Sequence, residues 1–546
     1  MTDDHRNDGG NGGNGGGDGR ENGRDRDRRG PRGGGRQGND NGRNGRNDRR
    51  GGEGRGDRRG GDRRGGGGRR GGRPGEGDRG RRPAPRKESP RTPPAVDPAR
   101  QVAFDVLRAI TERDAYANLL LPELLRERRV SGRDAALATE LTYGTARAAG
   151  LLDEIVAACI DRPLSEVDGV VLDALRLGSY QLLRTRIPAH AAVDSAVELV
   201  RDAAGSHVAG FVNAVLRKVS DKDEAQWLDE LAPDPEQDRI GNLALRNAHP
   251  RWIARSFAEA LGDTGDDLAA ALEADDARPE VHLLAKPGEI SADELAAVTG
   301  GDVAPYSPYA VHLPAGSGDL SASEPLTERL AVVQDEGSQL VTLAAVNAPV
   351  TGSDSRWLDL CAGPGGKAVL LGSLAATADT SDAEGVHVDA VEVAEHRARL
   401  ISGAVEGLPV TVHVADGREP GLDGDYDRVL VDAPCSGLGA LRRRPESRWR
   451  RKQGDVADLT KLQVELLASA FELVRPGGLV AYVVCSPHLA ETEGSFGTAV
   501  RRAGAEIVDA RPYFPDVPQL GDGPTVQLWP HRHGTDAMFC GLARRV

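Results

Sequence analysis

The sequence predicts a multidomain protein with four successive parts: a disordered tail, an all-helical domain, a small α+β connecting region and an α/β domain. Three observations predict this division. The first hundred residues are basic, rich in glycine and free of aromatic residues; the next part has helical periodicity throughout; the last part alternates between strands and helices. We place the boundaries at residues 1–97, 98–222, 223–330 and 331–546.

The charge of the chain is unevenly distributed. The formal net charge of the 546 residues is −14, yet residues 1–100 carry 27 basic and 16 acidic side chains and 31 of the 70 glycines. Residues 1–97 have too few apolar side chains to build a core, so we expect them to be disordered. Their Gly/Arg clusters can hold RNA phosphates through charge alone, although a solubilising tail without a specific target is the alternative.

The composition also limits the compartment and the kinds of site that we expect for the protein. No run of about 18 apolar residues is present, which excludes a membrane-spanning helix, and no apolar stretch follows a basic start as in a secretory signal. The five cysteines form no CxxC pair, which argues against a disulfide framework and a zinc site. His531 and His533 have no metal-ligand partners at useful spacing. We therefore expect a cytoplasmic monomer that binds neither a membrane nor a metal ion.

Residues 98–222 have the apolar spacing of packed helices. Val102, Val106 and Ile110 fall on one helical face, and Ser131 and Ser165 are each followed three residues later by Asp, as at a helix start. We expect five to seven helices here. In the connecting region, a helical stretch from Trp252 to Leu261 precedes two strand-like pieces, EVHLLAK and AVHLP.

The last part alternates strands and helices in the manner of an open, mostly parallel sheet flanked by helices. The predicted strands are 356–360, 388–393, 410–416, 427–434 and 479–486, and a long helix is predicted over 459–474. Ligands of such sheets bind outside the carboxyl ends of the strands, so the residues that follow each strand are the candidate site.

A glycine-rich loop follows the first of these strands and opens a helix. Its candidate ligand-binding residues are Cys361, Ala362, Gly363, Pro364, Gly365, Gly366 and Lys367. Glycines allow the backbone to approach a ligand closely at a helix N-terminus. Glu392, Asp416 and Asp432 end the next three strands, where carboxylates can meet ribose hydroxyls and an adenine amino group. The pattern indicates an adenosine-containing cofactor, either S-adenosyl-L-methionine or a dinucleotide.

Two cysteines lie at the same predicted edge of the sheet. Cys435 follows the fourth strand in Asp-Ala-Pro-Cys, and Cys485 ends the strand after Pro-Gly-Gly. Cys159 and Cys540 are interpreted as buried small apolar residues. A dinucleotide-dependent oxidoreductase gives the paired thiols no role, so the pair favours S-adenosyl-L-methionine.

Three blocks, DLCAGPGGKA, DAPCSGLGALRRRPE and YVVCSPHLAETE, resemble the signature motifs of RNA cytosine-C5 methyltransferases of the Sun (NOL/NOP/Sun) family. QDEGSQLV and the terminal LWPHRHGTDAMFCGLARR fit the same pattern. The segment GFVNAVLRKV is similar to the closing helix of NusB-like RNA-binding domains, although a plain helical bundle is the alternative. Together these features resemble the bacterial small-subunit ribosomal RNA methyltransferases, with a Rossmann-like catalytic domain. The resemblance covers residues 98–546.

The resemblance implies a division of labour between the site residues. Cytosine C5 is too weak a nucleophile to attack a sulfonium methyl group, and addition of a thiolate to C6 activates it. By resemblance, Cys485 is that nucleophile and Cys435 assists loss of the C5 proton and release of the enzyme. Asp432 holds the N3/N4 edge of the cytosine, and Lys367 lowers a thiol pKa or positions the base. The glycine-rich loop, Glu392, Asp416 and Asp432 hold the cofactor.

The chain departs from the family pattern at two places. CAGPGGKA stands where CAAPGGKT is common, so Ala368 lacks a hydroxyl, and Val484 stands before the nucleophile where threonine is usual. Neither change touches a group that the mechanism requires. We expect an active enzyme with an altered rate.

A basic segment after Cys435 is the candidate RNA-binding strip. Its residues are Arg442, Arg443, Arg444, Arg448, Arg450, Arg451 and Lys452. A solvated charged helix is the alternative, but its place beside the proposed site favours contact with RNA phosphates. The expected substrate is small-subunit (16S) ribosomal RNA. The alternatives are the same chemistry on transfer RNA and a non-catalytic RNA-binding or antitermination-type protein with a vestigial methyltransferase domain.

Overall fold

A computed structural model describes residues 96–262, 265–314, 320, 323–379 and 385–546. The predicted disordered tail therefore lies outside the described residues, apart from its last two. None of the described helices is long and apolar enough to cross a membrane. The described residues all belong to one compact unit, Ser89–Val546.

The first part of the described chain is helical, as predicted. Its α-helices are α1 (Pro98–Arg113), α2 (Ala117–Glu127), α3 (Gly132–Ala158), α4 (Gly169–Arg184), α5 (Ala189–Ala204) and α6 (Ala209–Val219), with a 3₁₀ turn at Leu164–Glu166. Ser131 does precede a helix. The helix start predicted at Ser165 is wrong, because Asp168 caps α4 by accepting a hydrogen bond from the amide of Val170 at 2.8 Å.

Apolar faces of these helices form two clusters. Residues of α3 to α6 pack into the larger one, and Val102 and Val106 of α1, both fully buried, belong to a smaller one with Ala117 and Leu121 of α2. Helices α4 and α6 cross closely at Gly178, where an added Cβ would lie 2.6 Å from a methyl carbon of Leu216. Glycine is therefore needed at this crossing.

The connecting region combines short helices with a small antiparallel sheet. Its helices are α7 (Glu224–Leu231), α8 (Arg239–Arg246), α9 (Arg251–Ala260), α10 (Gly265–Asp276), α11 (Ala292–Thr299) and α12 (Glu324–Thr327). Its strands are β1 (Val281–Ala285), β2 (Asp302–Val303), β3 (Ala310–Leu313) and β4 (Ala331–Val333), in the order β2-β3-β1-β4. Both predicted strand-like pieces and the helix after Trp252 are thus confirmed.

The last part is the predicted open sheet with helices on its faces. Its strands are β5 (Arg356–Asp359), β6 (His387–Glu392), β7 (Val410–Val414), β8 (Tyr426–Asp432), β9 (Val474–Val484), β10 (Glu506–Val508), β11 (Val526–Gln527) and β12 (Phe539–Arg544). Its helices are α13 (Glu336–Asn347), α14 (Gly366–Thr377), α15 (Glu395–Ala404), α16 (Ser447–Arg450), α17 (Asp455–Leu473), α18 (Ser495–Ala503) and α19 (Pro530–His533).

The sheet has the strand order β10-β12-β9-β8-β5-β6-β7, with β11 paired to β12. Strands β7, β6, β5, β8 and β9 are parallel, and β12 and β10 add antiparallel pairs at one side. The carboxyl ends of the five parallel strands therefore meet at one edge, where the sequence places the candidate site.

One segment of the α/β part is anchored in the preceding helices. Arg448 is fully buried, and its guanidinium donates to carboxylate oxygens of Asp275 at 2.9 Å and of Asp276 at 3.0 Å. The indole of Trp449 lies over Gly150, where an added Cβ would be 2.0 Å from the ring. The segment between β8 and α17 is thus held by buried ion pairs and by close packing.

Replacing Arg448 by methionine should lower the free energy of unfolding by about 3–5 kcal/mol, because the change leaves the buried Asp275 carboxylate without its cation. Urea unfolding followed by tryptophan fluorescence measures this. Arg399→Met is the matched control, since Arg399 pairs with Glu395 at the surface, where loss of the pair should cost less than about 1 kcal/mol. Equal losses in the two variants would contradict the structural role of Arg448.

Candidate active site

The two predicted thiols meet at the edge of the sheet. Strands β8 and β9 are parallel neighbours, with Asp432 paired to Val483, so the loops that follow them begin side by side. Cys435 and Cys485 are both half-buried, and their sulfur atoms are 3.4 Å apart. A distance this short allows an S–H of one cysteine to donate to the sulfur of the other.

The surroundings of the two thiols shift their pKa values in opposite directions. The hydrogen bond with Cys485, and then burial, raise the pKa of Cys435 above its ordinary value. The same hydrogen bond lowers the pKa of Cys485 against the opposing effect of burial, with help from the positive charges of Arg444 and Lys367. Cys485 is therefore the more acidic thiol of the pair, the one that loses its proton first, and Cys435 is the one that keeps it. A thiolate is the nucleophilic form of cysteine.

Lys367 and Asp432 form a buried ion pair beside these thiols. The Lys367 ammonium donates to Asp432 Oδ2 at 2.8 Å and to the Ser338 hydroxyl at 2.8 Å. Burial alone would lower the pKa of Lys367, but the charge and the hydrogen bond of Asp432, with smaller contributions from Cys485 and Asp359, together raise it. Lys367 thus stays cationic. Ser338 is missing from the predicted site residues because it lies on α13, away from the strand ends, although QDEGSQLV contains it.

The glycine-rich loop turns from β5 into α14. Gly365 has φ +114°, a conformation that requires glycine, and it precedes the first residue of α14. An added Cβ at Gly363 would lie 2.0 Å from Glu392 Oε2, so the loop backbone passes directly over that carboxylate. Burial raises the pKa of the third thiol, Cys361, well above its ordinary value. Cys361 therefore stays protonated.

Carboxylates from neighbouring strands surround the loop. Glu392 is buried, and its Oε1 accepts the Ala394 amide at 2.7 Å and a guanidinium hydrogen bond from Arg397 at 2.6 Å. Asp416 follows β7, and hydrogen bonds from Arg418 lower its pKa to about 2. The carboxyl oxygens of both side chains can accept hydrogen bonds from hydroxyl or amino groups of a ligand.

Asp359 is a buried carboxyl that sequence reasoning missed. It ends β5 with no solvent exposure, and neither of its side-chain oxygens has a hydrogen-bond partner among the described residues. Burial, and then the negative charge of Asp432, raise the pKa of Asp359 to about 7. Its position inside the strand hid it, because only residues after the strand ends were considered. An unpaired buried carboxyl marks a place where a polar ligand group is accommodated.

These residues fit an adenosine-containing ligand with a charged tail. The turn into α14 offers backbone amides to a ligand, the oxygens of Glu392 and Asp416 can accept from hydroxyl and amino groups, and Asp359 has unsatisfied polar atoms. The residues that would hold S-adenosyl-L-methionine are the loop Cys361–Lys367 together with Glu392, Asp416 and Asp432.

The predicted basic strip is wrong for three of its residues. Arg442 and Arg448 are buried, and Arg442 and Arg443 both donate to Asp536 Oδ1 at 2.9 Å. These three guanidinium groups are held by carboxylates inside the protein, where RNA phosphates do not reach. Arg450 is half-buried, and its guanidinium donates to the Ala115 carbonyl at 2.9 Å.

The remaining strip is smaller. Arg444 and Lys452 are exposed and Arg451 is half-buried. Outside the strip, His531 Nε2 lies 3.2 Å from Asp267 Oδ1, and the His533 ring contacts the Pro518 carbonyl at 2.9 Å. Arg444, Arg451 and Lys452 are thus the strip residues that keep a prediction of RNA contact.

Two family models match the chain. Residues 97–221 match the NusB family, and residues 346–543 match the family described as 16S rRNA methyltransferase RsmB/F. A Mycobacterium tuberculosis protein named as a methyltransferase is 55% identical over 463 residues, which cover 85% of this chain and 99% of the relative. Ribosomal RNA small subunit methyltransferase B of Klebsiella pneumoniae is 30% identical over 71% of this chain and 86% of its own length.

The chain belongs to the 16S rRNA methyltransferase RsmB/F family. It is therefore an RNA methyltransferase that depends on S-adenosyl-L-methionine. The solved crystal structure of PH0851, 21% identical, has a TM-score of 0.67 and covers 82% of this chain and 98% of its own, which supports the fold. The predicted family membership and multidomain fold are confirmed.

In this family member, the pH dependence of alkylation should reveal the shared proton of the thiols. Because the Cys435 S–H stabilises the Cys485 thiolate, Cys435→Ala should raise the pKa of Cys485 and move its alkylation curve to higher pH. Cys435→Ser keeps a donor and should move the curve less. Iodoacetamide labelling across pH, read by peptide mass spectrometry, measures both. Cys540, whose pKa burial raises to about 12, is the unreactive internal reference.

Identical alkylation curves for Cys485 in wild type and Cys435→Ala would show that the hydrogen bond between the thiols does not control the nucleophile.

Proposed function

We propose that the protein transfers a methyl group from S-adenosyl-L-methionine to C5 of a cytidine in small-subunit (16S) ribosomal RNA, through a covalent adduct between Cys485 and C6. The observation that carries the proposal is the thiol pair, 3.4 Å apart, in which the pKa of Cys485 is lowered and that of Cys435 is raised. Methyl transfer to a heteroatom or to an acidic carbon requires no second thiol. A carbon of an aromatic ring must first be activated by addition and later released by elimination.

Each step can be assigned to a residue of the chain. The Cys485 thiolate forms the S–C6 bond, and the π electrons of C5=C6 move onto C5 and the N3 side of the ring. The Lys367–Asp432 ion pair lies beside the thiols, and its Lys367 ammonium can stabilise the negative charge on the ring. We propose that Asp432 accepts a hydrogen bond from the amino group at C4, which distinguishes cytosine from uracil.

S-adenosyl-L-methionine supplies an electrophilic methyl group to C5. Once Cys485 is bonded to C6, Cys435 no longer donates to a thiolate, and it releases its proton to solvent. It then removes the C5 proton, the electrons re-form C5=C6, and the S–C6 bond breaks to return Cys485 as a thiolate. The pair ends with one proton on Cys435, as at the start. One proton is released in each turnover, which balances the exchange of C–H for C–CH₃.

Ribosomal RNA is the proposed substrate because relatives that align along most of the chain are named for it. The Bacillus subtilis relative, 27% identical over 82% of this chain, is named as a probable ribosomal RNA small subunit methyltransferase B, and the Klebsiella pneumoniae relative carries the same name without that qualifier. Arg444, Arg451 and Lys452 are the residues of the former strip that we propose as phosphate contacts.

Bisulfite sequencing should identify the target. Ribosomal and transfer RNA from cells that lack the protein, and from cells that express it, are compared cytidine by cytidine, since 5-methylcytosine resists deamination. We expect one protein-dependent signal in 16S ribosomal RNA. A protein-dependent signal confined to transfer RNA would overturn the substrate, and the absence of any such signal together with methylation of another atom would overturn the chemistry.

Substitution of the two cysteines should block the reaction at opposite stages, before and after the covalent adduct forms. Cys485→Ala should abolish methyl transfer from labelled S-adenosyl-L-methionine, because no adduct forms. Cys435→Ala should accumulate a covalent protein–RNA species that survives denaturing electrophoresis, because elimination fails. Cys159→Ala, which changes a buried thiol of the helical part, is the control and should retain full turnover. Methyl transfer by the Cys485→Ala variant would contradict the assignment of Cys485 as the nucleophile.

A further inference from the structure

The loops that carry the two thiols are joined by one buried carboxylate. Glu491 has no solvent exposure. Its Oε1 accepts the backbone amide of Ser436 at 2.7 Å, and its Oε2 accepts the hydroxyl of Ser486 at 2.7 Å and that of Ser436. Ser436 follows Cys435 directly in the chain, and Ser486 follows Cys485. The carboxylate is therefore bonded to the residue next to each thiol.

The carboxylate is satisfied by neutral donors. The Gln463 amide donates to Glu491 Oε1 at 3.2 Å and to the Pro434 carbonyl at 3.0 Å, and the Gln463 oxygen accepts from Ser495 at 2.9 Å. In the part of the chain that the structure describes, no lysine or arginine forms an ion pair with Glu491. Burial of a carboxylate without a cation is costly, and it is tolerated where several hydrogen bonds satisfy it.

Glu491 is itself held from the sheet. It lies in a π-helical turn, Ala490–Gly494, and its carbonyl accepts the hydroxyl of Tyr482, a buried residue of β9, at 2.5 Å. Turns of this kind are rare in proteins and occur frequently at functional sites. The carboxylate therefore projects from a fixed backbone position between the two loops.

We propose that Glu491 is a positioning residue of the two-thiol reaction: its carboxylate ties the Cys435 loop to the Cys485 loop and keeps the two sulfur atoms at hydrogen-bond distance. The inference rests on the proposed function, because a paired thiol is needed only where an adduct is formed and released. The two serine hydroxyls lie 3.2 Å from each other and close the same network.

The charge of Glu491 supports the same role. After the hydrogen bond with Cys485 and burial, the negative charge of Glu491 is among the causes that raise the pKa of Cys435. The carboxylate therefore helps to keep the shared proton on Cys435, the thiol that donates to the nucleophile. The hydrogen bonds of Glu491 and its negative charge thus both favour the arrangement in which Cys435 keeps its proton and donates to Cys485.

The test uses the full-length enzyme with Glu491→Gln, which keeps the size of the side chain and removes its charge and one acceptor oxygen. We expect kcat for RNA methylation to fall by about tenfold to 100-fold, because misplacement of reacting groups by a fraction of an ångström to 1 Å costs this much. KM for RNA and for S-adenosyl-L-methionine should stay within about twofold, since Glu491 contacts neither.

The second readout is the selectivity of thiol alkylation. In wild type, iodoacetamide should modify Cys485 in preference to Cys435, and Glu491→Gln should reduce that preference. Asp427→Asn is the matched control: Asp427 is a buried carboxylate at the opposite end of β8 that accepts two backbone amides at 2.8 Å. It should leave both kcat and alkylation selectivity as in wild type.

Ser486→Ala provides a milder perturbation: it removes the Ser486 hydroxyl, with its contacts to Glu491, Ser436 and His488, and leaves the carboxylate with its other donors. If circular dichroism shows that Glu491→Gln does not fold, Ser486→Ala replaces it in both assays. Where both fold, the loss of kcat in the double variant should be smaller than the combined losses of the single variants, because both changes break one network.

The outcomes separate this inference from the proposed function. Wild-type kcat and wild-type alkylation in Glu491→Gln would overturn the positioning role, and so would a fall in kcat with unchanged alkylation, because the effect would then not act through the thiols. If the wild-type enzyme methylates no cytidine C5 but Glu491→Gln still alters alkylation, the positioning role stands and the proposed chemistry is wrong.

Discussion

The parallel pairing of β8 with β9 is the constraint on which the active site depends. Adjacent strands of a sheet lie about 4.8 Å apart, so residues that follow paired positions begin within reach of each other. The register pairs Asp432 with Val483, and the chain then needs only a few residues to bring Cys435 against Cys485. The helices, the small sheet and the terminal strands support this one edge.

Much of the structure could be predicted from the sequence, because the helices, the strands and the glycine-rich loop depend on local chemistry. Alternation of apolar strands and amphipathic helices predicts a parallel sheet, and parallel strands bring their carboxyl ends together. The glycine-rich loop and both thiols could therefore be placed from sequence. Ser338 and Glu491 could not, because their roles arise from contacts across long distances in the chain, with Lys367 and with Ser436. A helix residue carries no local signal of such a contact.

The basic segment from Arg442 to Lys452 shows a case in which the composition of the sequence misleads. A run of arginines resembles an RNA-binding strip by composition, since burial of a charge is the rarer alternative. Here the acidic body offers internal partners: Asp536 accepts from Arg442 and Arg443, and Asp275 accepts from Arg448. The sequence shows the run of positive charges, but it does not show which carboxylates from distant parts of the chain neutralise them.

These internal pairs also determine how the Cys435 loop is supported. The chain leaves Cys435, turns, and within fifteen residues enters the contacts of Arg448 with Asp275 and of Trp449 with Gly150. Because those contacts are buried and close-packed, the loop is fixed at its far end as firmly as Glu491 fixes it near the thiol. The helical part is thus also a support for the α/β part. By holding the end of the catalytic loop, it contributes to the geometry in which one proton is shared between two sulfur atoms.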